Sequence, residues 1–203
     1  MRVLALVPPS RFAKNVARDL VYGCWCKGKR IAGLQFPPMS LIQVATVLKK
    51  NNIEAELLDV AASELDLEGL KKKLASFDVV IVLTSTMTIN EDSWLLGELK
   101  KSKPTLMTIV FGGHVTAEPA SSLKKGGIDI VVRREAEYIV RDLVTALGKK
   151  DTSWKNIKGI SFIDSGKVVN NPDYPLIENL DELPIPDRAM LPVGVKYFNP
   201  VVK

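Results

Sequence analysis

Histidine and cysteine are nearly missing from this chain: His114 stands alone, and Cys24 and Cys26 are the only thiols. Two cysteines cannot build a disulfide framework, which points to a reducing cytoplasm. They cannot close a tetrahedral metal site either, because no second pair completes one. Long apolar runs are missing too, and none approaches the roughly 20 residues a membrane helix needs. The start, Met1 to Val7, is too short for a signal segment, lacks a small-residue cleavage site and stops at Pro8-Pro9. It reads as a first strand. Gly112-Gly113 and Gly126-Gly127 do not spell G-x-G-x-x-G, and no P-loop Lys-Ser/Thr pair is present. Dinucleotide binding therefore rests on fold alone. No G-x-S-x-G elbow marks a hydrolase.

What is present suits a globular protein of one domain with an appendage. The 203 residues are 46% hydrophobic and 25% charged, enough for a sizeable core. The net charge of +5 comes from scattered lysines, among them Lys71–Lys73, Lys100, Lys101, Lys103, Lys124, Lys125, Lys149 and Lys150. Most fall near expected helix ends, where cations complement the dipole. No aromatics interleave with them, so a solvated surface is favoured over a nucleic-acid patch.

Short β-type runs alternate with helical stretches. Strands are expected at Arg2–Val7, Glu54–Val60, Val79–Leu83, Met107–Phe111 and Ile128–Val132. Helices are expected at Ser40–Asn51, Glu64–Ala75, Asn90–Lys101, Glu118–Lys125 and Glu135–Leu147. Leu41, Val44, Ala45 and Leu48 keep i, i+3, i+4, i+7 spacing, as do Ile139, Val140, Leu143 and Leu147 in the last helix. Ser40 or Pro38 marks the start of the first helix, Asn51-Asn52 its stop, and Gly148 the end of the last. Alternating β and α units imply a parallel sheet covered on both faces. The segment Arg11–Pro37 fits no simple turn; with Phe12, Tyr22, Trp25 and Phe36 it is a candidate contact surface. Ile157–Val169 reads as a β-hairpin turning at Asp164-Ser-Gly166. From Asn170 the prolines suggest an extended linker.

Two apolar runs end in small polar residues. Val79–Leu83 leads into Thr84, Ser85, Thr86, Met87 and Thr88, and Met107–Phe111 leads into Gly112, Gly113 and His114. In a parallel sheet both run-offs sit at the carboxyl edge, where open α/β folds bind ligands. Bare glycines let backbone amides approach a bulky ligand, although a tight strand–helix turn accounts for them equally. Hydroxyls can donate and accept, or can simply cap the helix beginning near Asn90.

In this order the motifs resemble the N-terminal, cobalamin-binding region of the B12-dependent radical S-adenosylmethionine (SAM) proteins. Phe36-Pro-Pro-Met-Ser-Leu-Ile is similar to the family's PP-x-x-L opening of its first sheet helix, and Ile53–Asp59 to its second strand. Gly112–Pro119 is similar to its Gly-Gly loop and Ile128–Glu137 to its D-x-V-V-x-G-E-G-E element. Ile157–Asn170 resembles its hairpin, and Leu180–Asp187 its linker. Arg134-Glu-Ala-Glu137 stands where the family has Gly-Glu-Gly-Glu. The family's Cys-x3-Cys-x2-Cys signature is absent, and two cysteines at i, i+2 cannot supply three cluster ligands.

The resemblance implies a Rossmann-like, flavodoxin-like fold. Five parallel strands carry helices on both faces, and a C-terminal hairpin and extended linker follow. Residues 1–148 would form the cobalamin-binding domain and 149–203 the hairpin and linker toward a radical SAM domain, in cis or in trans. Cofactor contacts are expected at Pro8, Pro9, Thr84, Ser85, Thr86, Met87, Gly112, Gly113, His114 and Glu135. The Thr84–Thr88 loop corresponds to the hydroxyl-bearing wall of the nucleotide-tail groove. SAM and a 4Fe-4S cluster belong only to the missing domain, and neither nucleic acid nor membrane is expected as partner. The cobalt-ligating type of domain has an Asp-x-His-x-x-Gly loop after the first strand; Pro8–Lys14 has no histidine. His114, after the fourth, is read as a hydrogen-bonding or capping residue. Glu135 and Glu137 are read as dipole partners of the last helix rather than a catalytic pair. The alternative function is a Rossmann-like interaction module without B12, or a nucleotide-binding domain.

Overall fold

A computed structural model describes residues 1–11, 15–19, 24–26, 36–63 and 65–197. Phe12 and Tyr22 of the candidate contact surface lie outside them, and Trp25 is described by its backbone alone. Largely apolar runs make the central strands: β1 (Arg2–Val7), β5 (Val79–Leu83), β6 (Met107–Phe111) and β7 (Ile130–Val132). The edge strand β4 (Glu54–Asp59) is half-polar. These five pair in parallel in the order β4-β1-β5-β6-β7, the doubly wound arrangement whose switch point lies between β1 and β5. The short strands β2 (Asn15–Ala17) and β3 (Cys24–Cys26) pair antiparallel with each other, giving the insertion a hairpin that its irregular composition does not announce.

Helices cover both faces. On one lie α1 (Met39–Lys50) and α7 (Ala136–Leu147), with α1 closing at Asn51 and Asn52 at φ 60°. Gly148 ends α7 in a right-handed conformation, and the left-handed residue comes later, at Lys150. On the other lie α3 (Leu67–Leu74) and α4 (Ile89–Ser102), with α2 (Val60–Ser63), α5 (Gly113–Ala117) and α6 (Pro119–Lys124) as short turns. The expected helix Glu118–Lys125 is thus two, because Gly113 opens a helix directly after β6 and Pro119 begins a new one, as proline favours. The helix expected from Glu64 begins instead at Leu67, because Asp66 caps α3, accepting from the Gly69 amide at 2.8 Å.

Alternation along each strand feeds two cores. Val3, Ala5 and Val7 face α1 and α7, whereas Leu4 and Leu6 face α3 and α4. The hairpin β8 (Ile160–Asp164) and β9 (Lys167–Asn170) joins the same sheet, β8 antiparallel to β7, so the parallel five become seven strands. One row crosses all of them: Leu57, Ala5, Ile81, Ile109, Ile130, Phe162 and Val169. Such cross-strand neighbours fix the register, because a slip of one residue would turn each strand over. Beyond β9 an extended strap runs along α1. Gln43 Nε2 donates to the Pro184 carbonyl at 3.0 Å, the Asp187 amide donates to Thr46 Oγ1 at 2.9 Å, and Lys49 Nζ meets Asp187 at 2.9 Å.

Candidate functional site

Parallel strands bring their run-offs to one edge. There the end of β5 and the segments after β6 and β7 border an open cleft of about 510 Å³, lined by Leu83, Phe111, Gly112, Gly113, Thr116 and the turn Arg134–Glu137 together with Arg18, Asp19 and Ser40; Thr84, Ser85, Thr86, Met87 and His114 are not among its lining residues. Among the described residues, the β1–β4 side holds a hollow of about 20 Å³ beside Val7, Arg18 and Asp59.

The two glycines divide the work. Gly112 has φ 128°, and a Cβ there would run into the Thr84 carbonyl oxygen, so the β5 and β6 run-offs touch backbone to backbone. Gly113 is exposed and nothing lies within 4 Å of where its Cβ would be. Gly112 is needed by the fold, and Gly113 leaves its space to the cleft. His114 follows, with Nδ1 at 3.2 Å from Thr86 Oγ1. Its Nε2 is shielded from solvent and has no hydrogen-bond partner among the described residues, an unmet polar group in the loop that follows Gly113.

The hydroxyls mostly turn inward. Thr84 Oγ1 donates to Asp92 Oδ2 at 2.8 Å and lies 3.3 Å from Thr88 Oγ1. The Ser85 amide donates to Thr88 Oγ1 at 3.0 Å, and the two hydroxyls are 3.1 Å apart. Thr84, Ser85 and Thr88 are buried, whereas Thr86 and Met87 are exposed. Thr88 occupies the position before α4, yet its side chain makes no capping bond to the helix. The hydroxyl cluster shapes the loop from inside, and Thr86 and Met87 form its outer surface.

Pro8 is buried and accepts at its carbonyl from Arg18 Nη1 at 3.2 Å; Pro9 is half-buried. Neither lines the cleft. Glu135 does, but its Oε2 also accepts from the Ile177 amide at 2.6 Å, tying the strap to the start of α7. Arg134, in place of glycine, adopts φ 66°, a left-handed conformation that costs an ordinary residue about 1 kcal/mol. Its amide donates to Thr116 Oγ1 at 2.9 Å and its guanidinium meets Asp173 at 2.6 Å, which hold it there.

Arg18, Asp19 and Asp92 fall in none of the sequence motifs, whereas Thr116 and Glu137 lie inside the Gly112–Pro119 and Ile128–Glu137 motifs. For Asp92 a signal exists, since Thr84, Thr88 and Asp92 recur every four residues and end on one side of α4. Arg18 lies in a stretch with no periodicity and carries none. Among the described residues no group of three His, Cys, Asp or Glu side chains could hold a metal ion, and no helix is long and apolar enough to cross a membrane.

Comparison with known proteins agrees with this arrangement. Residues 30–144 match the family model described as the B12 binding domain. The chain is 32% identical over 200 residues to an uncharacterized methyltransferase of Pyrococcus horikoshii, covering 97% of this chain and 40% of that protein. It is 30% identical over 171 residues to the anaerobic magnesium-protoporphyrin IX monomethyl ester cyclase of Rubrivivax gelatinosus, covering 81% of this chain and 30% of that one. Among solved structures it resembles the radical SAM methyltransferase TsrM from Kitasatospora setae, bound to tryptophan and a SAM analog, with TM-score 0.65 and 19% identity over 85% of this chain and 30% of that chain. It also resembles the cobalamin-dependent SAM radical enzyme OxsB, bound to aqua-cobalamin and SAM, with TM-score 0.64 and 15% identity over 86% of this chain and 22% of that chain. The chain thus spans well under half the length of each of these relatives.

Proposed function

The chain belongs to the B12-binding domain family, and on that premise we propose that it is the cobalamin-binding module of a radical SAM enzyme. Residues 1–148 supply the Rossmann-like cofactor domain, and 149–203 the hairpin and strap that lead toward a catalytic iron–sulfur domain, in cis or in trans. The observation that carries the reading is the cleft beside Gly113: open space where a side chain would stand, in a lining that also carries Thr116 and the turn Arg134–Glu137.

A corrinoid tail presents a phosphate, ribose hydroxyls and amides, and the cleft answers each kind of group. Gly113 offers exposed backbone, Thr116 a hydroxyl and Arg134 a half-exposed cation in the lining, and the adjoining loops add the Thr86 hydroxyl and the unused His114 Nε2. Glu135 holds the far wall through the strap. Met87, 47% exposed, gives the rim an adaptable apolar contact. Pro8 and Pro9 act from behind, shaping the exit of β1, and the buried hydroxyls of Thr84 and Ser85 set the loop that carries Thr86. Gly112 brings the two loops together. When bound, the corrinoid supplies cobalt for alkyl-group transfer. With so few thiols the chain suits a reducing cytoplasm, and its dispersed lysines favour neither nucleic acid nor membrane.

The test is retention. The protein mixed with hydroxocobalamin should keep the corrinoid spectrum through gel filtration, and Gly113→Phe should lose it while its circular dichroism is unchanged. A wild-type protein that elutes colourless from saturating cofactor overturns the reading in favour of a partner-docking module. Equal retention by Gly113→Phe moves the site away from this cleft.

A further inference from the structure

The segment after β1 is fastened to α4 by two acids in the helix's first turn. Glu91 accepts from the Arg11 amide, and the Arg11 guanidinium lies 3.7 Å above the Trp94 ring centroid. One residue on, Asp92 binds Arg18 through both its oxygens, with Nη2 at 2.5 Å from Oδ1 and Nε at 3.2 Å from Oδ2. Both partners are interior: the Arg18 side chain is 3% exposed and that of Asp92 0%. Arg18 Nη1 also donates to the Pro8 carbonyl, and Asp92 Oδ2 also accepts from Thr84 Oγ1. This single pair therefore bridges the exits of β1 and β5, the switch point of the sheet. Arg18 and its neighbour Asp19 form the cleft wall facing Gly113 and Thr116.

We propose that the Arg18–Asp92 pair is a latch on the cleft, holding residues 15–19 in place as a wall and so setting how fast bound corrinoid departs. The inference rests on the cobalamin reading and assigns Arg18 as a positioning residue within it. An interior ion pair is a poor means of gaining stability, because desolvating two charges offsets most of their attraction and an apolar pair of similar volume often does as well. A bidentate pair does fix direction, which an apolar contact does not. It also regains hydration at both ends when it parts, so opening is less unfavourable than lifting an apolar plug of the same size. A wall that must admit a bulky ligand and then stay closed needs both properties.

The experiment uses the full chain and two variants. Arg18→Met with Asp92→Asn removes both charges, keeps an acceptor for Thr84 and should leave the thermal midpoint within a few degrees of wild type. Arg18→Lys keeps the charge and loses the fork. Protein loaded with hydroxocobalamin is mixed with excess apo wild type at constant pH, and transfer of the corrinoid is followed over time; amide hydrogen exchange at 15–19 is measured separately in the ligand-free protein. The double variant should release corrinoid about tenfold faster or more, with Arg18→Lys in between, and exchange at 15–19 should rise in the same order. Wild-type rates for both measurements in the double variant overturn the latch. If wild type holds no corrinoid, the cobalamin reading fails and exchange alone judges the latch: a rise confined to this segment supports it, and unchanged exchange overturns it.

Discussion

The Tyr197 hydroxyl donates to Asp59 Oδ2 at 2.9 Å, joining residues 138 apart in sequence. Asp59 ends β4 and is buried, so this bond ties the end of the strap to the carboxyl edge of the sheet. Burial, followed by the charge of Asp59, pushes the Tyr197 phenol well above its ordinary value of 10.0. The folded state thus holds this proton more tightly than the unfolded chain. Its contribution to stability is complete below about pH 10 and declines as pH rises beyond it. In an alkaline titration followed by phenolate absorbance, the difference between wild type and Tyr197→Phe should be flat through pH 10. A full tyrosine's worth of signal appearing there would mean that the strap end is not docked.

Gly112 and Gly113 should respond oppositely to alanine. Gly112→Ala places a Cβ against the Thr84 carbonyl at a positive φ and should lose about 1–3 kcal/mol in urea unfolding. Gly113→Ala meets open space and should stay within about 0.5 kcal/mol of wild type. Equal losses would mean that the two loops are not in backbone contact.

A second close approach lies on the opposite side of the sheet from α1. Ser93 Oγ donates to the Gly126 carbonyl at 2.6 Å, and a Cβ on Gly127 would meet the Ser93 carbonyl and lie 2.5 Å from the Gly97 amide nitrogen, both helix backbone. Gly127→Ala should cost about 3 kcal/mol or more, since neither backbone can give way cheaply. Gly166→Ala has a similar φ of 77° but open surroundings and should cost only about 1 kcal/mol. Urea midpoints of the two variants separate strain from collision.

Removing one member of the buried pair differs from removing both. Asp92→Ala leaves the Arg18 guanidinium without its counter-ion in the interior and Thr84 without an acceptor. The expected loss is about 3–5 kcal/mol, read from denaturant unfolding. A loss below about 1 kcal/mol would show that water reaches this pair.

How much of this was legible in the sequence varies by element. The central parallel strands were, because each is a largely apolar run closed by turn residues, and so were α1 and α7 with their regular stripes. β7 begins at Ile130 rather than Ile128 because Asp129 is drawn into another role: its carboxylate accepts from the Thr108 amide and hydroxyl at 2.9 Å and pairs with Lys100 at 2.6 Å. Apolar patterning cannot reveal a carboxylate taken up by a neighbouring strand. The site was legible in outline. The glycine pair lines the cleft and His114 does not, and which glycine serves the fold and which leaves space depends on a carbonyl 28 residues away, at Thr84. The hydroxyl loop was expected to wall the groove or to cap the helix near Asn90; Asp92 instead draws Thr84 inward, and Thr88 makes no capping bond. Arg18 depends wholly on tertiary placement.

The hairpin has a consequence of parity. β7 runs from the amino to the carboxyl edge, β8 returns, and β9 comes back again, so the polypeptide leaves Asn170 on the side that holds the cleft. There Asp173 meets Arg133 and Arg134 at 3.1 and 2.6 Å. A lone extra strand would have delivered the chain to the far rim of the sheet. With two, the strap sets out from the same rim of the sheet as Gly113 and Arg134.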